Sequence, residues 1–151
     1  MKIYKLYRKQ QIPVSIQAAW DYLSNPQNLS EITPPNMNFT VTSKLPEKMY
    51  AGLIITYKVS PLFSIPITWV SEITHIDEPY HFVDEQKFGP YSFWHHSHRL
   101  NQIDDGVIME DIVHYKLPLG LIGNLFGRPL VKPRLENIFN YRKKVLDKLF
   151  N

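Results

Sequence analysis

Six side chains between residues 84 and 115 are of the types that acid–base, metal or polar-anchoring chemistry uses: Asp84, Gln86, His96, His98, Asp111 and Tyr115. Imidazoles titrate near neutrality, carboxylates orient them or ligate cations, and a phenol or an amide offers an uncharged hydrogen bond. On an extended strand, alternate residues share a face. Trp94, His96, His98 and Leu100 therefore line up, with Phe93, His95, Ser97 and Arg99 turned the other way. Val107, Met109, Asp111, Val113 and Tyr115 form a second such row, and Phe82, Asp84, Gln86 and Phe88 a third. A two-residue turn at Asp104-Asp105 pairs Ile103 with Gly106. His98 then opposes Asp111, His96 opposes Val113 and Trp94 opposes Tyr115, with opposed Cβ atoms about 5 Å apart.

If these rows face inward, their polar groups must be satisfied by one another, by a ligand or by water. Four readings follow. The set is a closed network that fixes strand register, or it anchors the polar end of an apolar ligand. His96, His98 and Asp111 could ligate a metal, although a His-x-His pair is common and no other histidine shares that face. His98 could act as an acid or base oriented by Asp111. Nucleophile elbows, glycine-rich phosphate loops and paired-carboxylate motifs are missing from the sequence, so no enzyme class stands out.

The elements that position these rows are legible from periodicity and punctuation. Residues 2–12 alternate as a strand closed by Pro13. Ser15 caps a helix over Ile16–Asn25, and Asn25-Pro26 opens a second short helix that ends at Pro34-Pro35. Strand-like runs follow at Asn38–Leu45, Leu53–Ser60, Ile65–Ile76, His81–Phe88, Ser92–Ile103 and Val107–Leu117, each bounded by Gly, Pro or Asp. The period then changes: Leu135, Ile138, Phe139, Arg142, Leu146 and Leu149 recur at three and four residues, the stripe of a helix of about five turns. The order β-α-α-β6-α predicts an α+β helix-grip fold in one domain over residues 1–151, a seven-stranded curved antiparallel sheet wrapped around the long C-terminal helix. The gap between sheet and helix is the natural ligand site. Leu117–Leu130, apolar but with Gly120, Gly123 and Gly127, is either a mobile lid or a buried connection, and Pro61–Pro66 is the expected facing lip.

Composition narrows the partners. Aromatics make up 13% of the residues, a proportion suited to a pocket lining. The net charge is only +3 and the basic residues are dispersed, which argues against nucleic acid. With no cysteine, disulfides, thiolate catalysis and thiolate-bound metals are excluded. An apolar leader or spanning segment is not seen, so a cytoplasmic protein without stable membrane insertion is expected. Transient contact with a membrane or partner through Leu117–Leu130 remains open.

The run Phe82-x-Asp84-x-Gln86-x-x-Gly89-Pro90-Tyr91-x-x-Trp94-x-His96-x-His98 resembles the SRPBCC superfamily, the START-like and polyketide cyclase/dehydrase group. Gly106-x-x-Met109-x-Asp111-x-Val113-x-Tyr115-x-x-Pro118-x-Gly120 and Ile138-Phe139-x-Tyr141-Arg142 extend the likeness across the chain. The nearest subgroup is a set of bacterial ligand-binding proteins, some labelled cell-division inhibitors. Leu100 stands where that subgroup tends to have Phe. The resemblance implies binding or transport of a small hydrophobic molecule of lipid, polyketide or isoprenoid type. The alternative it implies is a cyclase, dehydratase or hydrolase using His98 and Asp111. The expected ligand-binding set is Tyr57, Trp69, Asp84, Gln86, Trp94, His96, His98, Met109, Asp111, Val113, Tyr115, Phe139 and Arg142, with no metal and no cofactor.

Overall fold

A computed structural model describes residues 1–61 and 63–151. The chain runs through β1 (Tyr4–Ile12) and α1 (Ile16–Leu23), then two 3₁₀ turns at Pro26–Ser30 and Pro35–Met37. Six further strands follow: β2 (Thr40–Val41), β3 (Ile54–Val59), β4 (Ile67–Asp77), β5 (His81–Phe88), β6 (Phe93–Ile103) and β7 (Gly106–Lys116). Helical structure resumes at α2 (Gly120–Ile122), passes through a π turn over Gly123–Gly127, and continues as α3 (Arg128–Phe150). The seven strands form one sheet in the order β1-β7-β6-β5-β4-β3-β2, every pair antiparallel. This is the helix-grip architecture that the sequence predicts.

Two expected elements are shorter than their patterns suggest. Asn25 caps the segment after α1 by accepting from the Gln27 amide, but the segment is a 3₁₀ turn and not an α-helix. Pro26 lacks an N–H, and five residues cannot establish an α-helical ladder against the cost of nucleation. In the run Asn38–Leu45 only Thr40 and Val41 pair, with Lys58 and Tyr57. The amides of Thr42 and Ser43 both turn to the Thr56 carbonyl, which ends the ladder at this sheet edge.

The β6–β7 turn holds its register without a bulge, pairing Ile103 with Gly106. Gly106 has φ +132°, and a Cβ there would lie 2.2 Å from the Ile12 carbonyl oxygen, so glycine is required where β1 crosses the hairpin. Register shifts in the β4–β5 pairing, at Val70/Ser71 and Ile73/His75, bend the far half of the sheet.

The helix α3 buries Leu135, Phe139, Arg142 and Leu146, spaced four, three and four residues apart along one face. Leu135 and Phe139 pack with Leu6, Trp94, Val113 and Tyr115, whereas Leu146 packs with Ile12, Trp20, Phe82 and Leu100. Gln10 of β1 fixes the helix end by donating to the Lys143 carbonyl and to the Asp147 carboxylate, at 3.0 and 2.7 Å. A third cluster, Leu53, Ile55, Tyr57 and Ile73, lies on β3, β4 and the chain entering them. It contains no residue of α3, and the cavity described below opens between the two.

Candidate functional site

Strand parity brings Asp84 of β5, His96 and His98 of β6 and Asp111 of β7 onto adjacent levels of the concave face. Asp84 pairs with His96, and His98 pairs with Phe82 on one side and Asp111 on the other. His98 thus opposes Asp111, as the Asp104-Asp105 turn requires. The side chains then reach diagonally as well as straight across. His96 Nε2 donates to Asp111 Oδ1 at 2.8 Å, and His98 Nε2 donates to Asp84 Oδ2 at 2.7 Å. Two longer contacts close the square: His98 Nδ1 to Asp111 Oδ1 at 3.2 Å and His96 Nδ1 to Asp84 Oδ2 at 3.5 Å.

The two imidazoles lie 3.7 Å apart between ring centroids, and Phe82 covers the outer side of His98 in a stacked contact at 4.0 Å. Phe139 of α3 meets His96 edge-on. Trp94 Nε1 donates to the second Asp84 oxygen at 3.3 Å, and Arg142 Nη1 stands 3.6 Å from Asp111 Oδ1. The Arg142 guanidinium also lies over the Phe139 ring, and its Nε is buried without a partner among the described residues.

These contacts set the protonation states. Burial pushes both carboxyls upward, but the surrounding donors and cations outweigh it. His96 and His98 hold Asp84 below the ordinary carboxylate range. Hydrogen bonds from both imidazoles, with the charge of Arg142, hold Asp111 well below it. The histidines separate. Burial and the neighbouring His98 lower His96. His98 rises despite burial, because it hydrogen-bonds to Asp111 and Asp84 together.

Beside this square lies a cavity of about 420 Å³, lined by β3–β6, the 3₁₀ turns, the chain after β7 and α3. Asp84, His96 and His98 edge it, with Tyr57, Trp69, Trp94, Phe139 and Arg142. Tyr57 and Ser71 bond across the wall at 2.5 Å, and Trp69 Nε1 donates to the same Ser71 oxygen at 3.0 Å. Five members of the expected set do not line this cavity. Gln86 is occupied by the backbone of Tyr91, donating to its carbonyl at 2.7 Å and accepting from its amide at 3.1 Å. Met109, Val113 and Tyr115 are packed into the core, and Asp111 sits behind the histidines. Their parity is right, but β7 lies directly beneath α3, which covers that stretch of sheet.

The lining that periodicity missed comes from Tyr22, Leu29, Ile32 and Met37 around the 3₁₀ turns, and from Ile55, Ser71 and Ile73. Ile55 and Ser71 share faces with Tyr57 and Trp69 and were legible by parity. The 3₁₀ residues carry no period that points anywhere. Leu117–Leu130 is not a buried connection. It is largely helical, and Leu121, Ile122, Leu125 and Phe126 are 63–87% exposed. Ile122, Phe126 and Leu130 nevertheless border the cavity. Opposite them, Arg134 donates to the Pro61 carbonyl at 3.1 Å and lies over the Phe63 ring. Within the lip expected at Pro61–Pro66, Leu62 falls outside the described residues.

Among solved structures, 241 chains match this one. A Thermus thermophilus protein superposes with TM-score 0.72 at 15% identity, covering 96% of this chain and 95% of the other. Ginseng major latex-like protein 151 from Panax ginseng gives TM-score 0.70 at 13% identity over 98% and 97% of the two chains. The fold is that of the SRPBCC superfamily. The di-domain ARO/CYC StfQ from the steffimycin biosynthetic pathway shares it, with TM-score 0.72 at 9% identity. The match covers 98% of this chain but about half, 51%, of StfQ. No family model and no curated protein matches the sequence. At these identities the SRPBCC likeness speaks for the fold alone. Among the described residues, no helix is long and apolar enough to cross a membrane.

The square predicts an asymmetry between neighbouring acids on β7. Asp111→Ala strands two imidazoles and Arg142 in a buried setting, so it should lower stability by about 3–5 kcal/mol. Glu110→Ala removes only partly exposed contacts with Tyr7 and Asn101 and should cost about 1 kcal/mol or less. Urea unfolding of the two variants measures this difference, and equal losses would contradict the arrangement.

Proposed function

We propose that the protein binds a small apolar molecule of lipid, polyketide or isoprenoid type in the space between the sheet and α3. The observation that carries this reading is the cavity itself. At about 420 Å³ it falls in the range of about 300–1,000 Å³ typical of small-molecule sites. Its wall is dominated by aromatic and aliphatic side chains, with a few polar groups gathered at Asp84, His96 and His98. Such a wall suits a ligand with a large apolar body and one polar end. The latex-like and ARO/CYC neighbours, proteins of the same fold, are consistent with it.

The rival reading is a cyclase, dehydratase or hydrolase with His98 as acid or base and Asp111 orienting it. A proton carrier needs a nitrogen that the substrate can reach. Both nitrogens of His98 face carboxylates, at 2.7 and 3.2 Å, which counts against that role. Binding without catalysis is therefore preferred.

The exposed apolar side chains beside the cavity extend the proposal to transient membrane contact. Leu121, Ile122, Leu125 and Phe126 are followed along the chain by the cations Arg128, Lys132 and Arg134, a combination suited to an anionic bilayer surface. Flotation with phosphatidylglycerol vesicles should recover the protein, and Leu121→Ser with Phe126→Ser should abolish recovery; equal recovery of the double variant would count against this contact. For the cavity, dansyl-undecanoic acid should bind saturably with blue-shifted emission. Ile73→Trp, which fills the cavity from β4, should weaken binding at least about tenfold while keeping the wild-type circular dichroism. Unchanged affinity in that folded variant would overturn the assignment.

A further inference from the structure

The Asp–His square contains one contact that hydrogen bonding leaves unexplained. A neutral imidazole carries a single proton. In His96 that proton is on Nε2, 2.8 Å from Asp111 Oδ1. Its other nitrogen, Nδ1, is then a bare lone pair, yet it faces Asp84 Oδ2 at 3.5 Å. His98 faces the same two carboxylates. Its Nδ1 faces Asp111 Oδ1 at 3.2 Å and its Nε2 faces Asp84 Oδ2 at 2.7 Å. Asp111 thus stands behind both rings and Asp84 in front of both. On that front side two nitrogens and a carboxylate oxygen lie within 4.8 Å of one another, a setting where a positive charge belongs.

We infer that Asp84, His96 and His98 form a site for a divalent transition-metal ion. A proton on His98 Nε2 relieves one of the two front contacts, whereas a metal bound among these atoms relieves both. The donor atoms lie within 4.8 Å of one another, and the two front separations, 2.7 and 3.5 Å, bracket what an ion requires. Ligands bonded at about 2.0–2.1 Å sit about 2.8–3.4 Å apart at octahedral or tetrahedral angles.

The surroundings have the form of a ligand-supporting shell. Metal-bound histidines commonly donate their far N–H to a carboxylate, which fixes tautomer and ring orientation. Here Asp111 serves both rings at once, and Arg142 at 3.6 Å offsets its charge. Trp94 fixes the remaining Asp84 oxygen at 3.3 Å. All three ligands border the cavity, so the ion's remaining positions face the space in which a small molecule would lie. Two imidazoles and one carboxylate, with no thiolate in the chain, favour zinc or iron(II) over magnesium or calcium. The third ligand is Asp84 from β5, in place of Asp111, which His98 opposes on β7. The metal site does not depend on an apolar ligand: failure of dansyl-fatty-acid binding would leave it standing.

The test is calorimetric titration of Zn²⁺ into the full chain, free of any histidine tag and stripped with chelator. One ion per chain is expected. Asp84→Ala and His98→Ala should each weaken binding at least about 100-fold, and Asp111→Asn about 10–100-fold. His75→Ala should change nothing; it removes half of a separate histidine pair, His75 and His81, whose rings lie 4.9 Å apart. Imidazole ¹⁵N spectra of the wild-type protein decide the matter should the site variants fail to fold. Zn²⁺ should shift His96 Nδ1 and His98 Nε2 while His96 Nε2 and His98 Nδ1 keep their protons. No zinc uptake, uptake indifferent to Asp84→Ala and His98→Ala, or shifts confined to His75 and His81 would each overturn the proposal.

Discussion

Asp111 lies beneath the long helix with a side chain only 3% exposed, and an ionised carboxylate in that position is tenable only with cations and N–H donors packed around it. Much of the inner structure follows from that constraint. His96 and His98 must point inward on β6, and Arg142 must come from the buried stripe of α3. The helix therefore cannot rotate or slide without breaking an ion pair. Asp84 on the next strand meets the outer nitrogens of the same imidazoles, and Trp94 holds it there. A polar chain thus crosses β7, β6 and β5 and ties three strands and one helix into a single register.

The apolar interior is arranged around this chain. Leu135 and Phe139 fill the space on one side of Arg142 and Leu146 fills the other, so the helix covers β1, β7 and β6 closely. It does not reach the inner face of β3 and β4, where bulges bend the sheet away. The cavity is the consequence: the curved sheet and the helix it grips touch along one half only. Asp84 and His98 stand at the boundary between the packed and open halves, 18% and 15% exposed, whereas Asp111 and His96 lie on the packed side.

Much of this was legible in the sequence because strand parity and a two-residue turn are strong constraints. The turn before Gly106 forms without the bulge that would have shifted it, so the 98–111 pairing obtained by counting holds. Gln86 is held by the Tyr91 backbone, and the other four expected lining residues, all on β7, share a different cause. Parity reveals which face a residue occupies but not what covers it, and β7 is covered by α3. Asp84 was placed on the right face, while its partnership with His96 and His98 depended on the β5–β6 register, which the Gly89-Pro90 turn does not fix by itself. The 3₁₀ segment was unreadable as lining because its residues have no amphipathic period. Leu117–Leu130 was ambiguous because apolar residues interrupted by glycine suit burial and exposure equally.

Both readings of the site require an apolar, accessible space between Ile73 and Tyr57 on one side and Trp94 and Leu135 on the other. Xenon enters such spaces when they are open and dry, and scatters strongly enough to be located without ambiguity. Crystals pressurised with xenon should show an anomalous peak within that cavity, near Ile73 and Leu135 and away from the carboxylates. A cavity without xenon, with Phe139 or Tyr91 collapsed into the space, would contradict the account.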